Sequence, residues 1–314
     1  MGFYSLLINC CITTIIIFYF RSSIKFPFLR YLVNYGIGIG FIGFFILIVG
    51  LLINKIFPGN SEIIALICLN IHIFLIVFSI TNGNSIHIKK LDIKTDKKIK
   101  NEINLIFLSD LHLGSNSKNH LKKIIKKIKQ VKYDLLLIGG DMIDSSKFDF
   151  DNLKLFFGTR KPIVFVSGNH EYYLRNFREK LSSLKKYNIN FLDNMSFNYK
   201  ELNIIGISDD VRLNKKKNLT TKLLKRNFLN LVLVHKPCLW DFLPIEIDLM
   251  LSGHTHNGQI FPFNFFVKLK YKYTCGLYKK SSSKLYVSSG AGCWGPKMRL
   301  GSRNEIVYIK LKNK

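Results

Sequence analysis

Nine residues suited to metal binding or proton transfer stand at the ends of short apolar runs. Asp110 and His112 follow INLIFLS (103–109), and Asp141 and Asp144 follow DLLLIGG (134–140). Asn169 and His170 follow PIVFVSG (162–168), His235 ends NLVLVH (230–235), and His254 and His256 follow DLMLSG (248–253). Carboxylate, imidazole and amide oxygen together suit Mn, Fe or Zn better than a thiolate-seeking metal. An isolated histidine is ordinarily a core or surface residue, and His72, His87 and His120 are read that way. Five of the eight histidines, however, stand at run ends beside aspartates.

The apolar runs are predicted to be buried strands. Further strands are expected at 203–207, 284–289 and 304–311, with amphipathic helices at 120–131 and 176–187. Strands alternating with helices predict an α/β domain. In such sheets, ligands collect at the carboxyl ends of the strands. Each strand thus delivers one or two candidate ligands to a common edge, and the glycines there permit tight turns. No internal repeat is visible.

The first 81 residues are different. Segments 3–20, 35–53 and 63–80 carry no charged residue, and each could cross ~30 Å of hydrocarbon as a helix. Residues 1–81 are therefore expected to form a membrane anchor of about three transmembrane helices, 82–102 a linker, and 103–314 the catalytic domain. The first segment lacks the basic start and small-residue cleavage site of a signal peptide. Arg21, Lys25 and Arg30 in the loop 21–34, and the lysines after the third segment, predict a cytoplasmic catalytic domain on a multi-pass inner-membrane protein. The chain's formal charge is +27, of which residues 1–81 hold only +3. Such a domain suits an anionic partner, although lysine is abundant on every solvated face and net charge names none. The six cysteines form no CxxC pair, which fits a reducing compartment and excludes a disulfide framework.

DLH (110–112), GDMID (140–144), GNHE (168–171), His235 and GHTH (253–256), in this order, resemble the calcineurin-like metallophosphoesterase superfamily. GHTHNGQ and the closing GAGCWGPKMRLGSRNE (290–305) resemble membrane-anchored bacterial members more narrowly. That group includes enzymes that cleave UDP-2,3-diacylglucosamine to lipid X and UMP in lipid A synthesis. Asn257 departs from the pattern, where glycine is usual. The resemblance implies a four-layer αββα sandwich and two divalent metal ions. Asp110, His112 and His256 would bind the first ion, Asn169, His235 and His254 the second, and Asp141 would bridge them. His170 is implied in phosphate contact or protonation of the leaving oxygen. Asp144 either orients His170 or a ligand, or caps a helix.

Other features are less specific. Segment 261–273, apolar and basic, is expected to dip into the membrane surface or line an acyl groove, the alternative being a strand pair on the sheet. Arg299 and Arg303 are read as phosphate-binding residues, with surface ion pairing as the alternative. Segment 211–226 is a basic amphipathic stretch, either against anionic headgroups or solvated, and Trp294 is read as packing. The expected activity is hydrolysis of a lipid-linked pyrophosphate or phosphodiester, with UDP-2,3-diacylglucosamine the specific expectation. The partners are then a lipid phosphate and the membrane, with neither a nucleic acid nor a protein partner implied. The competing readings are a phosphodiesterase acting on nucleotides or nucleic acid, and a scaffold that kept the fold without the chemistry.

Overall fold

The computed structural model describes residues 27–244 and 246–314. Two units separate. One holds the N-terminal helices up to Ile80 with Gly295–Met298, and the other holds Thr81–Trp294 with Arg299–Lys314. The first unit contains α1 (Pro27–Ile56) and the greater part of α2 (Ser61–Asn84). Leu32–Ile56 and Ser61–Asn84 are long and apolar enough to cross a membrane, with mean hydropathies of 2.7 and 2.8. Leu51, Leu66 and Phe74 are exposed, a surface that water disfavours. The expected spans 35–53 and 63–80 fall inside these helices. The expected loop 21–34 is shortened, because α1 already starts at Pro27. The expected span 3–20 lies outside the described residues.

The second unit contains, in chain order, β1 (Ile86–Thr95), β2 (Ile103–Leu108), α3 (Lys118–Ile128), β3 (Leu135–Gly139), β4 (Ile163–Val166), α4 (Phe177–Ser183), β5 (Ile189–Phe191), β6 (Met195–Tyr199) and β7 (Leu202–Ile207). There follow α5 (Leu213–Lys222), β8 (Leu229–Val234), β9 (Leu249–Ser252), α6 (Phe263–Lys270), β10 (Gly276–Lys280), β11 (Ser283–Val287) and β12 (Asn304–Asn313). They make two six-stranded sheets, ordered β1-β12-β2-β3-β4-β5 and β10-β11-β9-β8-β7-β6.

The core explains the layering. Leu105, Phe107, Leu137 and Val164 of the first sheet share one buried cluster with Ile204, Leu231, Leu233 and Leu251 of the second. The opposite face of the first sheet, with Ile106, Leu136 and Ile138, takes Leu121, Ile124 and Ile128 from α3. The outer face of the second sheet, with Ile205, Val232 and Met250, takes Leu239 and Trp240 from a 3-10 turn. Central strands covered on both faces must be apolar throughout, which is why they read as uninterrupted runs. This is the expected αββα order.

Residues 86–95 depart from the expected linker. They form β1, an edge strand that pairs in parallel with all of β12, from Ile86 beside Asn304 to Thr95 beside Asn313. Its lysines face outward, as an edge strand requires. Only Ser85 separates α2 from the catalytic fold.

Candidate metal centre

β2, β3 and β4 run parallel, as do β7, β8 and β9, so their C-terminal ends carry the candidate ligands to one edge. There the backbone adopts conformations that L-residues seldom accept. Asp110 (φ 54°), His112 (46°), Asp141 (50°), His254 (74°) and His256 (49°) are all left-handed. Each costs of order 1–3 kcal/mol, and such strain persists where surrounding contacts over-determine it. Asn257 is left-handed too (φ 50°), and asparagine is among the non-glycine residues most tolerant of that region. Close approach fixes two glycines. A Cβ on Gly168 would strike the Asp141 carboxylate, and one on Gly253 would strike that of Asp110.

The candidate ligand atoms form three groups: Asp110 with His112 and His256, Asp141 with His235 and His254, and His112 with Asp141 and His170, which shares a residue with each of the other two. In the first, His256 Nε2 lies 3.1 Å from His112 Nε2 and 3.4 Å from Asp110 Oδ1. In the second, His235 Nε2 lies 3.1 Å from Asp141 Oδ2 and 3.2 Å from His254 Nδ1. Asp141 Oδ2 is also 3.9 Å from His112 Nε2, which places this carboxylate between the groups. Donor atoms bonded to one cation at ~2.1 Å and at right angles are ~3.0 Å apart, so these spacings fit metal coordination. Asn169 Oδ1 is buried without a hydrogen-bond partner among the described residues, as an oxygen reserved for a cation would be.

Surrounding contacts aim the rings. His235 Nδ1 lies 2.9 Å from Gly139 O, which can only accept, so Nε2 is the nitrogen facing Asp141. Asp144 Oδ2 lies 3.4 Å from His112 Nδ1, and Asp144 Oδ1 accepts from Ser115 N–H at 2.8 Å. No helix begins at Asp144, so the capping role fails, and its carboxylate stands within reach of the His112 ring. His254 Nε2 is 2.8 Å from the Tyr271 hydroxyl. The backbone N–H of His254 donates to the Asp110 carboxylate at 3.1 and 3.2 Å.

The electrostatics suit cations. Burial pushes the His235 imidazole down, but Asp141 and then Asp110 outweigh it, and its pKa is pushed up to about 10. Burial likewise opposes the Asp141 charge, yet His235, His112 and His170 hold its carboxyl far below the usual range. Burial and the neighbouring His235 push His254 down to about 3. The site therefore combines two buried carboxylates with His254, whose neutral imidazole offers a lone pair, and His235, whose proton a cation must displace, a donor set suited to divalent Mn, Fe or Zn.

His170 belongs to the third group, with His112 and Asp141. Its backbone N–H donates to Asp141 Oδ1 at 2.9 Å, and its ring Nε2 is 3.9 Å from Asp141 Oδ2. The ring lies edge-on to His112 and Trp294. Trp294 is 58% exposed, a rim residue and not the packing residue expected.

Three expectations need correction. Arg299 is fully buried and cannot grip a substrate phosphate. It donates to Asn304 Oδ1 (2.9 Å), His256 O (2.8 Å), Ser302 Oγ (3.2 Å) and Gly292 O (2.6 Å), pinning the loop that carries His256. Arg303 is exposed, and its charge acts on His87. Segment 261–273 is no strand pair either, because α6 occupies most of it. In segment 211–226, α5 buries Lys216, which pairs with Asp209 at 3.2 Å and so turns away from any headgroup.

Glu171 is a site residue that the sequence reading misses. It is fully buried, and its carboxylate accepts from the N–H groups of Asp141 (3.0 Å), Ile143 (2.9 Å) and Gly168 (2.7 Å). It thereby fastens the β3 and β4 ligand loops together. An acidic residue directly after the Asn169–His170 pair is the available signal.

The comparisons agree with this geometry. The profile described as calcineurin-like phosphoesterase matches residues 103–258. An uncharacterized metallophosphoesterase of Campylobacter jejuni is 37% identical over 262 residues, 77% of this chain and 68% of that one. One of Helicobacter pylori is 38% identical over 240 residues, covering 71% and 63%. A zebrafish (Danio rerio) transmembrane protein with metallophosphoesterase domain is 30% identical over 237 residues, covering 68% and 54%. The chain thus spans between about half and two thirds of the length of these relatives. Matching profile, relatives and ligand geometry together place this chain in the calcineurin-like phosphoesterase family, as a metal-dependent phosphoesterase.

Proposed function

We propose that the chain hydrolyses a phosphodiester or pyrophosphate bond of a lipid that shares its membrane. One observation carries this reading. Asn304, the first residue of β12, donates to Gly83 O (2.8 Å) and Ser85 O (3.2 Å), where α2 hands over to β1. β12 runs antiparallel to β2, with Val307 beside Phe107, so Asn304 lies level with Asp110. The chain therefore leaves its apolar helix at the same sheet edge that holds the metal ligands. α6 lies on this edge, since Tyr271 at its end contacts His254. None of its residues is buried, and Leu269 is 85% exposed. Phe263, Phe265 and Phe266 stand out beside Lys268 and Lys270, a composition suited to a lipid interface.

Asp110, His112 and His256 would hold one cation, Asn169, His235 and His254 the other, and Asp141 both. Bound there, two divalent cations supply Lewis acidity to the phosphoryl oxygens and activate water at neutral pH. Manganese is the leading choice, with iron and zinc as alternatives from the same donor set. His170, partly exposed beside Asp141, contacts the phosphate or protonates the leaving oxygen. The loop charges put the catalytic unit on the cytoplasmic face of an inner membrane. A reporter that works only in the cytoplasm should be active when fused after Lys314, and a periplasm-only reporter working there would overturn this orientation.

The specific substrate proposed is UDP-2,3-diacylglucosamine, cleaved to UMP and the acylated sugar 1-phosphate. Tethering raises the effective concentration for a substrate in the same bilayer and gives no such gain for a soluble one. The test measures kcat/KM in mixed micelles for this lipid, for deacylated UDP-glucosamine, and for soluble nucleotides and nucleic acid. A clear preference for the acylated substrate supports the proposal. Equal rates with and without acyl chains would defeat it, and preference for nucleotides or nucleic acid would favour the phosphodiesterase alternative. No hydrolysis of any of these, or of bis(p-nitrophenyl) phosphate, by metal-loaded protein would point to the scaffold.

A further inference from the structure

A cleft bordered by lysines lies outside the metal centre. Open, and of about 490 Å³, it is lined by Ser85, His87, Lys123, Lys126, Lys127 and Gln130, among others. The three lysines occupy positions i, i+3 and i+4 of α3, hence one side of the helix. The apolar side of α3, with Leu121, Ile124 and Ile128, is spent on the first sheet, so the lysines stand at its margin. None of the three forms an ion pair with a carboxylate among the described residues, and no acidic residue lines the cleft. Arg303 adds to the field. Burial, then Arg303 and then Lys127, hold the His87 imidazole below its ordinary pKa, as a locally positive potential must. Like charges at helical spacing oppose helix formation, a cost that a bound anion would offset.

The cleft's position narrows the choice of anion. α2 has 24 residues, about 36 Å at the helical rise, against ~30 Å of hydrocarbon. Its last turn therefore emerges among the lipid headgroups, and Asn84 and Ser85, directly at that exit, form one wall of the cleft. We propose that this cleft binds the phosphate of an anionic phospholipid headgroup and so fixes the catalytic unit against the leaflet that carries its substrate. The proposal rests on the reading of Ser61–Asn84 as a membrane span. Lysines close to an anionic surface are attracted to it, and a concave cluster of them recognises a single headgroup.

The full chain in nanodiscs of phosphatidylcholine with a minor share of phosphatidylglycerol provides the test. Native mass spectrometry would count the phosphatidylglycerol retained after the disc is stripped away. The wild type should retain it, and K123Q/K126Q/K127Q should bind it on the order of a hundredfold more weakly, from roughly fivefold per lysine. The arginine triple variant, which keeps the charge, should retain it. All three lysines lie at the surface, and unchanged hydrolysis of bis(p-nitrophenyl) phosphate would show that the glutamine variant is folded. Equal retention by wild type and glutamine variant overturns the proposal. Displacement of the lipid by millimolar inorganic phosphate also overturns it, because the cleft would then be a site for soluble anions. Failure of the chain to stay with the discs would instead refute the membrane reading on which the proposal depends.

Discussion

Replacing Arg299 with lysine separates a residue that holds the site together from one that binds substrate. The guanidinium reaches four acceptors in four directions: Asn304 Oδ1, His256 O, Ser302 Oγ and Gly292 O. A lysine ammonium keeps the charge but donates from a single point, so it cannot replace the planar fork. At least two of these bonds should be lost. Hydrogen bonds to charged groups contribute about 1.5–3 kcal/mol each, so Arg299→Lys should cost about 3–6 kcal/mol. For a unit of this size, that corresponds to a Tm lower by on the order of 10 °C. His256 O is one of the abandoned acceptors, and His256 already holds a left-handed backbone (φ 49°), so its ring should lose its aim. Metal content should then fall first in the group formed by Asp110, His112 and His256. Scanning fluorimetry in detergent, elemental analysis and steady-state kinetics would follow the three quantities. An unchanged Tm and metal content with a raised KM would refute this reasoning and return Arg299 to phosphate binding.

Three further outcomes are expected. Asp141→Asn should weaken both cations together, because its Oδ2 faces both ligand groups, and two metals per chain with unchanged activity would exclude a bridging role. His170→Ala should retain both metals and lose ~10²–10⁴-fold in turnover, with a greater loss for a poor leaving group than for p-nitrophenol; equal losses would leave only phosphate contact. Metal affinity should rise with pH. His235, pushed up to about 10, carries a proton at neutral pH that a cation must displace, so affinity should climb by at least about tenfold per unit and level off above that value. Titration calorimetry in two buffers of different ionisation enthalpy should find at least one proton released per chain, since His112 is raised as well, and none released would contradict the assigned field.

The sequence by itself determined the central strands, the apolar helices and the candidate metal ligands. INLIFLS and DLLLIGG are legible because a strand covered on both faces must be apolar at every position. The residues after them are legible because their types serve metal chemistry and little else at that spacing. β1 was not legible. IHIKKLDIKT mixes lysine with apolar residues, as both a linker and an edge strand do, and only its ten-residue pairing with β12, more than two hundred positions away, distinguishes them. Arg299 was hidden for the same reason. An arginine beside a phosphate and an arginine buried under a ligand loop are the same letter, and what decides between them is whether four acceptors from distant segments close around it. The basic cleft needed the fold as well, since the lysines of α3 meet the exit of α2 only after the sheet has set both in place. Composition and periodicity record what each segment buries. Which segments meet is settled by long-range pairing, and that leaves no local mark on the chain.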